Sequence, residues 1–152
     1  MRLPWQKKKE FFTEEEKQQL VAAIQKAEQR TSGEVRVFVE SHCRFMDAMD
    51  RAKQLFLQLE MQKTADRNAT MIYVAVKDHQ AAVLGDEGIH QKVGQMYWQE
   101  EVNKMLLHFK QQHLADGICQ VVNDIGEALH THFPYNRNTD KNELPDEIIF
   151  GR

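Results

Sequence analysis

The sequence predicts an α/β fold, a three-layer α/β/α sandwich with a small mixed sheet flanked by helices. Three observations predict it. Residues 69–76 (Ala-Thr-Met-Ile-Tyr-Val-Ala-Val) are apolar on both parities, as in a strand buried on both faces with helices above and below. A strand-helix-strand run ends there, which implies a right-handed crossover between parallel strands. The three residues Lys77, Asp78 and His79 that follow can only turn the chain back on itself, so the next strand is antiparallel.

Each element has its own signal. Thr13 is an N-cap with Glu16 three residues on, a capping box, and Glu14 and Glu15 suit the positive end of a helix dipole. Leu20, Val21, Ile24 and Ala27 give that first helix one apolar face, and Ser32-Gly33 supplies its stop. Val35, Val37 and Val39 alternate with Arg36, Phe38 and Glu40, a strand of period two whose polar and aromatic second face places it near the sheet edge. The second helix opens at Asp47 and turns Ala48, Ala52, Leu55, Phe56 and Leu59 inward, and the polar residues 62–68 end it. After the central strand, residues 80–84 form a short third one. From Ile89 the period is helical: Trp98, Val102, Met105, Leu106 and Phe109 make one stripe, and Ile118, Val121, Val122, Ile125 and Leu129 another, with a break over residues 112–117.

The domain division is a flexible basic arm over 1–10, a single domain over 11–133 and an extended tail over 134–152, in which Ile148, Ile149 and Phe150 are apolar enough to dock. A chain of 152 residues, 41% hydrophobic, can bury a core without staples. Cys43 and Cys119 are too few for a disulfide framework and read as free thiols. With 20 Lys+Arg against 23 Asp+Glu and a net charge of −3, the chain lacks the dense cationic face of a sequence-independent nucleic-acid binder. A mean hydropathy of −0.63 leaves no membrane span. Lys7, Lys8 and Lys9 have no apolar stretch behind them to make a signal peptide, so the expected location is the cytoplasm.

Gly85-Asp86-Glu87-Gly88 most invites a functional reading. Two carboxylates between glycines make a bendable loop that suits a hard cation, against the plainer reading of a solvated turn. The expected hairpin sets the end of the third strand beside the start of the central one, bringing Asp86 and Glu87 toward Asp66, Arg67 and Asn68. The parallel first strand adds Gly33-Glu34 at the same end, and Asp116-Gly117 can approach it. The expected site is therefore a pole of oxygen donors, Asp86, Glu87, Asp116, Asn68, Asp66 and Glu34, holding Ca²⁺ or Mg²⁺. It is not an EF-hand. His42, His130 and His132 lack metal-ligand spacing, and no phosphate loop of Walker or dinucleotide type occurs.

Several stretches in order resemble the TPM domain family, in its stand-alone cytoplasmic bacterial type. These are Phe11-Phe12-Thr13-Glu14-Glu15-Glu16, then Thr31-Ser32-Gly33-Glu34-Val35-Arg36-Val37, then Arg67-Asn68 leading into Met71-Ile72-Tyr73-Val74-Ala75-Val76. Leu84-Gly85-Asp86-Glu87-Gly88-Ile89 and Leu144-Pro145-Asp146-Glu147-Ile148 follow. The resemblance spans residues 11–150 and implies an α/β/α sandwich with a divalent-cation site, usually Ca²⁺, at one pole of the sheet. Relatives are described as an acid phosphatase of the thylakoid lumen, a photosystem-repair protein and a modulator of an acetylcholine receptor. Many bacterial relatives are exported with a membrane anchor, which this sequence is expected to lack. Gly85-Asp86-Glu87-Gly88 replaces the family's usual Gly-Tyr-Gly-Leu-Glu-Gly type. On that resemblance Glu87 matches the family's acidic position with Asp86 an added ligand, Asp116 matches a late acidic residue, and Asn68 matches the polar residue opening the central strand.

Three functions follow as expectations. The first is a divalent-cation module. The second is a metal-assisted phosphatase in which Arg67 steadies the phosphoryl charge. The third is an interaction domain that presents residues 136–152 to a protein partner.

Overall fold

The structure, a computed structural model, describes residues 11–135 and 148–151. The basic arm and most of the tail lie outside the described residues. The elements run α1 (Glu14–Glu28), β1 (Glu34–Glu40), α2 (Ala48–Gln58), β2 (Ala69–Ala75), β3 (Gln80–Gly85), α3 (Glu87–Val93), α4 (Gln95–Lys110), α5 (Leu114–His132) and β4 (Ile148–Phe150). The sheet order is β3-β2-β1-β4. β1 pairs parallel with β2, Glu34 opposite Ala69 through Glu40 opposite Ala75, and β2 pairs antiparallel with β3. The expected mixed sheet, crossover and hairpin are all present.

Strand alternation sorts side chains into two layers, because successive residues point to opposite faces. Val35, Val37, Val39, Ile72, Val74 and Val83 pack under α1, α4 and α5 in one cluster. Phe38, Met71, Tyr73 and Ala82 pack in a second cluster with Ala52, Leu55 and Phe56 of α2. The sandwich is thus four helices, sheet, one helix.

Three local expectations are corrected, and the place of β1 is sharpened. β1 is near the sheet edge, one strand in: Ile148, Ile149 and Phe150 pair parallel with Val37, Phe38 and Val39 and cover its outer side. All seven β1 residues are consequently buried, including Glu34, Arg36 and Glu40. The first helix closes at Glu28, capped by Gln29, well before Ser32-Gly33. Gly94, with φ +82°, splits the long helical stretch into α3 and α4. The last helix starts at Leu114, so Asp116 and Gly117 lie in its first turn rather than in a break.

The Thr13 capping box and the Asp47 cap form as expected. Trp98, Met105 and Phe109 are buried in the core. Cys43 and Cys119 are free. No helix among the described residues is long and apolar enough to cross a membrane.

Candidate metal centre at the amino ends of the parallel strands

The pole is built from a turn, a strand start and a helix start. Thr64 is buried; its carbonyl accepts from the Arg67 N–H at 3.3 Å and its hydroxyl from the Asn68 N–H at 3.2 Å. These bonds hold Arg67 in a left-handed conformation, φ +52°, which is uncommon for a residue with a side chain. The turn delivers Asn68 to the mouth of β2 and sends the Arg67 side chain across to the end of β3.

Asp86 receives it there. Arg67 Nε donates to Asp86 Oδ2 at 2.6 Å and Nη2 to Oδ1 at 2.8 Å, a two-pronged contact that matches guanidinium to carboxylate. The Asp86 hydrogen bond, then its charge, raises Arg67 above the usual arginine value. Oδ1 also accepts from the Glu87 N–H at 2.8 Å, which makes Asp86 the N-cap of α3. The expected Gly-Asp-Glu-Gly loop is therefore a helix entry, because a cap aspartate with a following acidic residue is a helix-start signal. Glu87 is exposed in its first turn, with Oε2 3.9 Å from Arg67 Nη1.

Gly88 lets this turn close. Its N–H donates to the Arg67 carbonyl at 2.8 Å, and a Cβ there lies 2.1 Å from the Asp66 carbonyl and 2.6 Å from that of Arg67. Beside it Asn68 Nδ2 donates to Ser32 Oγ at 3.2 Å, while Asn68 Oδ1 is buried without a hydrogen-bond partner.

The structure brings Glu34, Asp66, Arg67, Asn68, Asp86 and Glu87 to one pole and leaves one expected donor, Asp116, away from it. Glu34 starts β1 in register with Ala69, a residue of the α2-side cluster, and its N–H donates to the Asn68 carbonyl at 3.4 Å, which sets it at the same pole. Asp116 is exposed near His113, 3.8 Å away. It lies thirteen residues along α5 from Leu129, whose side chain packs on Gly33 at the pole; at 1.5 Å per residue that is about 20 Å. Among the described residues no three His, Cys, Asp or Glu side chains converge to hold a metal. The donors that remain suit a hard, oxygen-seeking cation in kind, but Asp86 is already neutralised by Arg67.

Two polar clusters were not read from sequence. At the opposite end of the sheet Glu40, 7% exposed in its side chain, takes Arg51 Nε at 2.9 Å and Nη2 at 3.2 Å and also accepts from the Tyr73 hydroxyl. Burial, then the Glu40 contact, pushes Tyr73 well above the ordinary tyrosine range. Glu40 shares the parity of Phe38, and that was its signal. Between α4 and α5, Glu101 is buried with Lys104 Nζ at 3.1 Å, and the same Nζ reaches Asp124 at 2.8 Å. Burial, then the Asp124 contact, lifts the Glu101 carboxyl to about 7. Its spacing, three after Trp98 and four before Met105, marked it as facing inward.

The family model of the TPM domain matches residues 6–128 of this chain. The chain belongs to the TPM domain family. Among solved structures, the TPM chain is similar to the NMR structure of the BA42 protein from the psychrophilic bacterium Bizionia argentinensis. The two are 39% identical over 95% of this chain and 99% of the other, with a TM-score of 0.86. The N-terminal domain of the cg2496 protein from Corynebacterium glutamicum is 14% identical with a TM-score of 0.60, over 78% of this chain and 74% of that one. At that identity the likeness is one of fold. No curated protein matches the chain.

Proposed function

We propose that this TPM domain binds a divalent cation, Ca²⁺ before Mg²⁺, through oxygen donors of the 66–68 turn and the start of α3. The observation that carries the reading is Asn68 Oδ1, a buried acceptor without a partner, because such an atom loses its hydration without compensation unless something donates to it or coordinates it. Asp66, on the same turn, and Glu87, at the start of α3, are the exposed carboxylates of this pole, and Asp86 can join them only when Arg67 lets go. Asp116 has no part in this site.

The test is a Ca²⁺ and Mg²⁺ titration of chelator-treated protein followed by amide NMR shifts and melting temperature. Saturable shifts confined to residues near 32–34, 66–68 and 86–88 are expected. Binding to the folded state alone adds about 2.7 kcal/mol at a hundredfold excess over Kd. Asp66→Asn with Glu87→Gln should remove the effect, and Arg67→Ala should tighten binding by freeing Asp86. Silence of these amides through millimolar Ca²⁺ in the Arg67→Ala protein sinks the proposal.

A metal-assisted acid phosphatase is the alternative, with Arg67 as the phosphate contact. The bidentate Arg67–Asp86 pair weighs against it, since a guanidinium so held offers little to an incoming phosphoryl group. Turnover of p-nitrophenyl phosphate that depends on both the cation and Arg67 would reverse that order. The interaction-module reading rests on residues 136–152, most of which lie outside the described residues.

A further inference from the structure

The carboxyl ends of β1 and β2 form the other pole, and open α/β sheets characteristically hold ligands outside the carboxyl ends of parallel strands. A cavity of about 640 Å³ lies there between the β1–α2 loop and the β2–β3 turn, lined by Glu40, Ser41, His42, Arg44, Arg51 and Lys77, with Met46. Three permanent cations thus face one carboxylate.

The internal pairings decide what is left over. Glu40 is matched by Arg51, whose remaining Nη1 donates to Gln54 Oε1 at 2.7 Å. Asp78 holds His42 Nδ1 at 2.8 Å with one oxygen and the Cys43 N–H at 2.7 Å with the other, which keeps its carboxyl below the usual range. Among the described residues the side chains of Arg44 and Lys77 have no hydrogen bond or ion pair, and His42 Nε2 has no partner. Two cations without a hydrogen bond and a ring nitrogen therefore border the cavity, on a frame fixed by two carboxylates; Arg44 is near enough to Asp78 to help keep that carboxyl low.

Loop geometry adds an independent sign. Phe45 has φ +70° and is 100% exposed. For a bulky side chain the left-handed region costs about 1–2 kcal/mol, and Phe45 buries nothing in return. What the conformation achieves is to set Arg44 and Met46, its two neighbours, on the cavity wall while the ring stands outside. Strain of this kind concentrates where ligands are held.

We infer that this cavity is a binding site for a small dianionic oxyanion of the phosphate-monoester type carrying an apolar body. Arg44 and Lys77 take the charge, His42 Nε2 adds a contact, Met46 meets the apolar part at the wall, and Phe45, outside the cavity, meets what projects beyond it. The site lies at the opposite end of the sheet from the proposed cation site and does not depend on it.

Amide NMR titration in chelator tests the site, so that failure here and failure of the cation reading are separate results. The probes are phenylphosphonate, which cannot be hydrolysed, and vesicles containing phosphatidic acid, scored by co-sedimentation. Expected are saturable shifts at residues 41–46 and 77 with phenylphosphonate, weakened about a hundredfold by Arg44→Gln with Lys77→Gln and less by Phe45→Ser. Each lost charge-assisted contact is worth roughly a factor of ten. Arg44, Phe45 and Lys77 are exposed, so these variants should fold. Vesicle binding lost in the same variants also upholds the site and identifies a lipid headgroup as its source of phosphate. No saturable shift with phenylphosphonate together with no vesicle binding overturns the inference, as does binding untouched by Arg44→Gln with Lys77→Gln.

Discussion

Both ends of the sheet carry the same device, an arginine forked onto a carboxylate, and the two differ in what surrounds the fork. At the amino pole Asp86 is shielded while Arg67 is 45% exposed, and the pair sits on a helix entry whose cap Asp86 also provides. At the carboxyl pole Arg51 is 26% exposed, and Glu40 carries a second obligation to the buried Tyr73 hydroxyl. The first pair is wet and local, the second dry and tied into the α2 layer. An exposed arginine released from its partner regains water, whereas buried partners of a lost carboxylate stay unpaired. The amino-pole pair can therefore open without leaving a buried group unpaired, and the carboxyl-pole pair cannot.

Mutations can break that contrast. The largest effect is expected at Gly88→Ala, where the new Cβ meets main-chain carbonyls at 2.1 and 2.6 Å that cannot step aside; a loss of about 3 kcal/mol or more in urea unfolding is expected. Glu40→Ala should cost about 3 kcal/mol by stranding Arg51 and Tyr73. Asp86→Ala should cost less, about 1–2 kcal/mol, mostly for the lost cap. A larger loss at Asp86 than at Glu40 refutes the contrast.

The smallest effect is a pH slope at a third carboxylate with no arginine. Glu101 has only Lys104 and Asp124, and its folded pKa is raised from 4.5 to about 7. Its neutral form is favoured in the fold, so its contribution is fully present below pH 4.5 and is lost as pH rises through about 7. Glu101→Gln should flatten the fall in urea midpoint between pH 5 and pH 8. An unchanged slope shows that Glu101 titrates normally.

Much of the fold was legible because it rests on local periodicity. Two-parity apolar residues 69–76 announced a strand buried on both faces, and the three residues 77–79 forced the hairpin. The candidate pole was half legible: pairing of β1, β2 and β3 brought Asp66, Asn68, Asp86 and Glu87 to one end. Asp116 failed because the break it was assigned to lies before it. That places the residue at the far end of α5.

The strand and helix periods and the caps at Thr13 and Asp47 were set by the sequence, since each depends on residues within a few positions of one another. Tertiary structure alone decided that Ile148, Ile149 and Phe150 return to cover β1. Tertiary structure also decided that Arg67 occupies Asp86, that Arg51 occupies Glu40 and that, among the described residues, the Arg44 and Lys77 side chains make no hydrogen bond or ion pair. Which charge meets which depends on where distant segments end up in space, and a long side chain can reach any of several carboxylates until the fold leaves it one.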